Sequence, residues 1–220
     1  MKRPYAVLFD LDGTLVDINP DEAELEDLRA DLEKYALNAG VVLRARDIFG
    51  MYQDVLLSVG FDHPVSKQMR QDIDRFEIRW AYDRCVPKTS RLLGELRDNV
   101  QITGIVTSNG AACVQALYHS RKIKKEWFDL AVTRDESPLL KPSSVPLERA
   151  FNLATECAHD LSEIWFVGDS NRDKQAVEEF NRRARPGVTF ARIGPSTEES
   201  AAKQSFTDLD DFIKELLRKR

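Results

Sequence analysis

Short apolar runs that break off at a polar residue or a glycine constrain this chain more than any other feature of its sequence. Residues 5–9 end at Asp10, and 102–106 end at Thr107-Ser108-Asn109. Residues 130–132 end at Thr133, 164–167 at Gly168-Asp169, and 188–193 at Gly194-Pro195. Runs of this length without polar alternation read as strands buried on both faces. Helical patterns separate them. Leu92, Leu93 and Leu96 follow the capping candidates Thr89 and Ser90, and Val114 and Leu117 follow Asn109-Gly110. Leu147, Ala150, Phe151 and Ala154 follow Lys141-Pro142, and Leu209, Phe212, Ile213, Leu216 and Leu217 make a last amphipathic stripe. Strands alternating with helices imply an α/β fold, a Rossmann-like parallel sheet with right-handed crossovers.

Residues 20–84 break that alternation. Apolar residues recur there at helical spacing in three groups: Leu25, Leu28, Leu32, Tyr35, Ala36; then Ile48, Tyr52, Val55, Leu56, Val59; then Met69, Ile73, Phe76, Trp80. Gly60 and Pro64 mark a turn between the last two. The reading is a helical insert. Residues 1–16 and 86–220 form the α/β core, and 17–85 form a helical cap domain.

Composition narrows the function classes. A chain of 220 residues suits one α/β domain with a small insert, and 42% hydrophobic residues suffice for a packed core. The net charge of −5 argues against nucleic acid, which calls for a clustered basic face. The terminal Arg218-Lys219-Arg220 reads as a solvated end. Cys85, Cys113 and Cys157 form no CxxC pair, so neither a disulfide framework nor a zinc site is expected. The first apolar run is too short for a signal peptide, and none approaches the ~20 residues that span a bilayer. The expectation is a cytoplasmic protein with no membrane or nucleic-acid partner. No apolar stripe is left over to fix an oligomeric state.

The polar residues at the strand ends carry the chemistry. In an open α/β sheet, ligands bind at the carboxyl edge, so Asp10, Asp12, Thr107, Ser108, Asn109 and Asp169 converge on one crevice. Asp10 and Asp12 are two residues apart and project to the same side of an extended chain. Gly13 and Thr14 then allow a tight turn. Paired carboxylates require a cation or a retained proton, and Asp169 completes an oxygen donor set suited to Mg²⁺.

These motifs resemble those of the haloacid dehalogenase superfamily. Asp10-Leu11-Asp12-Gly13-Thr14-Leu15 resembles its first motif, Thr107-Ser108 its second, Lys141-Pro142 its third, and Gly168-Asp169-Ser170-Asn171-Arg172-Asp173 its fourth. The insert is placed like the α-helical cap of that superfamily, and the resemblance spans nearly the whole chain. It implies a Mg²⁺-dependent phosphatase acting on a small phosphorylated metabolite. Asp10 then stands as the nucleophile that forms an aspartyl-phosphate, and Asp12 as general acid/base. Thr107, through its hydroxyl, and Ser108, through its N–H, bind phosphoryl oxygens, and Lys141 neutralises the phosphoryl group and Asp10. The metal falls to Asp10, the carbonyl of Asp12, and Asp169; Asp173 binds it directly, through water, or from behind its ligands. The resemblance also weighs against dehalogenation, because dehalogenases of this superfamily lack the second aspartate. One departure is the charged, lengthened segment 178–186.

Other residues carry bland readings. Asn109 either touches phosphate or caps the next helix, and capping is favoured. Arg44 and Arg46 either reach a substrate anion from the insert or face solvent, and solvent is favoured; Phe49, Tyr52, Phe76 and Trp80 form cap core; His63, His119 and His159 show no ligand spacing; Cys113 is a buried small hydrophobe. Two rivals to the phosphatase share these motifs. One is a phosphomutase, which passes the phosphoryl group to a second hydroxyl; the other is a non-catalytic phosphate-binding protein.

Overall fold

The structure, a computed structural model, describes residues 3–88, 92–158, 160–183, 187–194 and 204–218. The capping candidates Thr89 and Ser90, and also His159, Pro186, Pro195 and Lys219-Arg220, lie outside these residues. The chain opens with strand β1 (Arg3–Phe9) and the short β2 (Val16–Ile18). Three helices follow: α1 (Glu22–Asn38), α2 (Ile48–Val59) and α3 (Pro64–Asp83). Then come β3 (Cys85–Pro87), α4 (Leu92–Asn99), β4 (Val100–Val106), α5 (Ala111–His119), β5 (Leu130–Val132) and α6 (Val145–Cys157). The chain ends with β6 (Glu163–Gly168), α7 (Asn171–Arg183), β7 (Val188–Ile193), β8 (Ser205–Phe206) and α8 (Leu209–Arg218).

The five apolar runs all become strands of one six-stranded parallel sheet, in the order β5-β4-β1-β6-β7-β8. The α/β parallel-sheet expectation is therefore met. Strand β1 lies at the centre and is buried on both faces. Val7 and Phe9 enter a core that also holds Leu96, Leu117, Trp165 and Phe212. Ala6 and Leu8 enter a second core with Leu147, Phe166, Val177 and Phe180. This explains why β1 shows no polar alternation. Strand order reverses at β1, with β4 on one side and β6 on the other, so the crevice opens above the ends of these three strands.

Residues between β2 and β3 leave the sheet entirely. Helices α1–α3 pack through Leu28, Leu32, Met51, Tyr52, Val55, Met69, Ile73 and Trp80, all buried. The predicted turn is real: Gly60 ends α2 at φ +90°, and Pro64 opens α3. His63 caps α3, its Nδ1 accepting from Val65 N–H. The chain leaves through β2 and returns through β3, an antiparallel ribbon pairing Val16 with Pro87 and Ile18 with Cys85. This ribbon and β8 are additions to the strands read from sequence. Among the described residues no helix is long and apolar enough to cross a membrane.

Candidate active site

The carboxyl ends of β1, β4 and β6 hold the expected polar residues side by side. Asp10 continues the β1–β6 ladder, its N–H donating to Val167 carbonyl at 2.8 Å, which fixes its backbone at the strand end. The chain then turns back at once: Leu15 N–H bonds Leu11 carbonyl at 2.8 Å, and Gly13 N–H bonds Val16 carbonyl at 2.7 Å. Gly13 sits at φ +81°, and a Cβ there would lie 2.3 Å from Asp169 Oδ2. Glycine is needed on both counts, since the turn brings the β1 loop against the β6 loop.

Asp10, Asp169 and Asp173 place carboxylate oxygens within 4.8 Å of one another. Lys141, from the loop between β5 and α6, enters this cluster; its Nζ lies 2.5 Å from Asp10 Oδ1 and 2.6 Å from Asp173 Oδ1. All three of Asp10, Lys141 and Asp173 are buried. Asp173 also accepts from Ser170 N–H at 3.1 Å, so the fourth-motif loop folds around it. Burial and the neighbouring Asp173 push the Asp10 carboxyl up to about 7, against the pull of Lys141. Burial alone would lower Lys141, but Asp10 and Asp173 outweigh it and hold the ammonium above its ordinary range. Burial and then Asp173 also raise Asp169.

Asp12 is exposed toward the cleft, yet crowding by the loop raises its carboxyl to about 6, despite the bond from Ile18 N–H to its Oδ1 at 2.7 Å. A carboxyl near that range can give or take a proton close to neutrality. Three clustered carboxylates are a hard, all-oxygen donor set, the chemistry that suits Mg²⁺. Burial, and after it the neighbouring Asp173 anion, keeps Asp10 and Asp169 protonated to higher pH than an ordinary carboxyl, with the buried lysine opposing them.

The segment after β4 is organised differently from the expectation. Asn109 does not cap α5, whose N-cap is Gly110 with no side-chain bond. Its Nδ2 instead donates to Glu77 Oε1 at 3.1 Å, and its Oδ1 accepts from the Thr107 hydroxyl at 2.8 Å. A carboxylate only accepts, so Glu77 fixes which way the amide points. The Thr107 hydroxyl proton is thereby committed to Asn109, while its oxygen accepts from Asn109 N–H at 3.1 Å. In this arrangement Thr107 has no proton left for a phosphoryl oxygen.

Glu77, on α3, and Arg134, after β5, are residues the sequence reading passed over. Arg134 is fully buried and donates to both Glu77 oxygens at 2.9 Å, to Ser108 carbonyl at 3.0 Å, and to Asp74. Glu77 also accepts from Gly110 N–H at 2.9 Å. Signals existed for both. Glu77 falls between Ile73 and Trp80 on the apolar stripe of α3, and Arg134 stands just past a strand end like Asp10 and Asp169.

Two further contacts bind the insert to the core. Leu140 N–H donates to Gln53 at 2.6 Å, and Arg172 Nη1 lies 2.9 Å from Asp47 Oδ1. A cleft of about 180 Å³ is lined by Asp10, Asp12, Thr107, Ser108, Asn109, Lys141 and Asp169, and also by Arg172 and, from the insert, Phe49. Phe49, read from sequence as cap core, thus also faces this cleft. Arg44 lines hollows on the insert instead, and Arg46 is exposed. Cys113 is buried as expected, and His119 is exposed.

Comparison with known proteins agrees with this geometry. The family model for haloacid dehalogenase-like hydrolases matches residues 5–181. Phosphoglycolate phosphatase of Salmonella typhimurium (strain LT2) is 30% identical, over 78% of this chain and 76% of that one. The Salmonella typhi phosphoglycolate phosphatase is 27% identical, over 92% of this chain and 90% of its own. Among solved structures, a 2-haloacid dehalogenase from Pseudomonas syringae pv. Tomato superposes with a TM-score of 0.60 at 18% identity, covering 100% of both chains. That last likeness concerns the fold alone.

Proposed function

This chain belongs to the haloacid dehalogenase-like hydrolase family, and we propose that it is a phosphatase that hydrolyses a small phosphomonoester through a phosphoryl group carried on Asp10. One observation carries the reading: a buried carboxylate at the end of the central strand, held at 2.5 Å by a buried lysine, with a second carboxylate two residues on. The phosphatase names of the curated relatives support the same chemistry.

In the first step an Asp10 oxygen attacks phosphorus, the P–O bond to the leaving group breaks, and Asp12 gives its proton to the departing oxygen. In the second, Asp12 takes a proton from water, the water oxygen attacks phosphorus, and the Asp10–phosphorus bond breaks, which restores both residues. Lys141 holds the Asp10 carboxylate in place and stabilises negative charge on the phosphoryl oxygens. Ser108 lines the cleft, and in this reading its N–H binds a phosphoryl oxygen, a role the saturated Thr107 hydroxyl fills only after leaving Asn109. Asp10, Asp169 and the Asp12 carbonyl would hold Mg²⁺, with Asp173 beside them; when bound, the ion offsets repulsion between the anionic nucleophile and the phosphate. The insert, residues 17–85, acts as a cap that excludes bulk water and limits substrate size.

The test is phosphate release from a panel of small phosphomonoesters, with Mg²⁺ and with chelator, for wild type and Asp10→Asn. Release that requires metal and disappears in the variant is expected. Release that persists in Asp10→Asn would remove the covalent step, and indifference to chelator would remove the metal.

A further inference from the structure

The cleft that holds the proposed phosphoryl chemistry is also lined by Arg172, which that chemistry does not use. Among the described residues, Lys141 and Arg172 are the cationic side chains lining this cleft. Lys141 is committed to Asp10 and Asp173 at the reacting end. Arg172 is held differently. Its Nε and Nη2 donate to the Lys141 carbonyl at 3.0 and 2.5 Å, a neutral acceptor that orients the guanidinium without cancelling its charge. Its carboxylate partner is Asp47, on the insert just before α2, with that side chain 54% exposed. Ion pairs this open to water contribute little, so the partner is exchangeable.

We propose that Arg172 determines specificity: its guanidinium receives a carboxylate on the substrate, in the place now taken by Asp47, so the substrate class is a short phosphorylated hydroxy acid. The inference rests on the phosphatase reading and extends it. Guanidinium is the side chain suited to a planar carboxylate, and the fork on the Lys141 carbonyl pre-orients it. Because Lys141 carries the ammonium at the reacting end and the carbonyl that holds Arg172, the two cationic contacts keep a fixed relation. A substrate with a phosphoryl group at one end and a carboxylate at the other is then held at two points, which aligns phosphorus with Asp10. Size agrees. The cleft, about 180 Å³, is below the roughly 300–1,000 Å³ of ordinary ligand pockets, in keeping with a short substrate. Phe49 adds an apolar group to the same lining.

The experiment compares 2-phosphoglycolate with 2-hydroxyethyl phosphate, which is of equal length and replaces the carboxylate by CH₂OH, on the full chain with Mg²⁺. Wild type should prefer the carboxylated ester. In Arg172→Gln the ratio of kcat/KM for the two esters should fall by about tenfold to a hundredfold, chiefly through KM, the effect of one charge-assisted hydrogen bond. Arg172→Lys should recover part of that ratio. Asp47→Asn, which keeps a residue competent to cap α2, should lower KM for 2-phosphoglycolate and raise the ratio. An equal fall for both esters in Arg172→Gln would overturn the proposal and leave Arg172 as a support for the Lys141 backbone. A ratio that Asp47→Asn does not raise would overturn the exchange independently of how Arg172→Gln folds. No release of phosphate from either ester or from the wider panel would instead overturn the phosphatase reading, and this inference with it.

Discussion

Replacing Glu77 by glutamine removes one charge from a buried ion pair between the insert and the core. The Glu77 side chain is 2% exposed and the Arg134 side chain 0%. Glu77 accepts from both Arg134 η-nitrogens at 2.9 Å, from Asn109 Nδ2 at 3.1 Å and from Gly110 N–H at 2.9 Å. Breaking a buried pair from one side costs about 3–5 kcal/mol, because the remaining charge stays buried. Asp74 still engages Arg134 in the variant, which places Glu77→Gln at the lower end, about 3 kcal/mol. For a chain of this length, each kcal/mol lowers Tm by roughly 2–4 °C, so a fall of about 6–12 °C is expected. Arg134→Met leaves two carboxylates unpaired and should cost more. The double variant Glu77→Gln/Arg134→Met removes both charges of the pair and should be more stable than the sum of the single changes predicts, with the amide oxygen left as an acceptor for the donors at Asn109 and Gly110. Thermal and urea unfolding of the four proteins gives the coupling energy directly. Additive effects, or single variants within about 0.5 kcal/mol of wild type, would refute the claim that this pair anchors the insert.

The remaining predictions concern the carboxylate cluster. Asp10 and Asp12 bind protons more readily folded than unfolded, with folded values of about 7 and about 6 against 3.8. The stability they contribute is therefore complete below that unfolded value and is lost as pH rises through about 6 and about 7. Metal-free wild type should lose stability between pH 5 and 8 relative to the Asp10→Asn/Asp12→Asn double variant, as followed by thermal unfolding; parallel curves would contradict the cause assigned. Saturating Mg²⁺ should abolish the difference in slope, because the ion favours the ionised carboxylates. Gly13→Ala should fold, by circular dichroism, but lose the Mg²⁺-dependent rise in Tm and at least tenfold in activity. Its φ of +81° costs an L-residue about 1–2 kcal/mol, and its Cβ would collide with Asp169. An unchanged metal response in that variant would show that the two loops separate freely.

The parts of this molecule that were legible in the sequence are those where a single segment carries its own signal. Asp10, Thr107 and Asp169 end buried strands, and a run of apolar residues announces both the strand and its end. The helices of the insert announce themselves by spacing. Lys141 follows no strand directly and was reached only through the family resemblance. Strands β2 and β3 have three residues each, too few for any period to register, so the ribbon at the root of the insert stayed invisible. Asn109 failed for a different reason. Locally it is a good cap in front of a helix, but Glu77, 32 positions earlier in the chain, takes its amide. Local propensity lost to a tertiary partner that no short window contains.

Three contacts that join insert and core land beside residues proposed to act on the substrate. Asp47 meets Arg172, whose guanidinium grips the Lys141 carbonyl; Gln53 meets Leu140, the neighbour of Lys141; Glu77 meets Asn109 and Gly110, just past Ser108. They differ in strength. The Asp47–Arg172 pair is open to water, so releasing it costs little. The Glu77 cluster is sealed, and water cannot replace its bonds without first entering a buried charge pair. Releasing Asp47 from Arg172 is therefore cheap, while parting α3 from the core is costly. The same asymmetry accounts for the Thr107 hydroxyl: as long as α3 stays docked, Glu77 holds the Asn109 amide and Asn109 holds the Thr107 proton, so in the proposed mechanism phosphoryl binding is assigned to Ser108 and Lys141. A substrate that enters from the α2 side meets Arg172 first and exchanges with Asp47 there, leaving the α3 anchor and the segment behind it undisturbed.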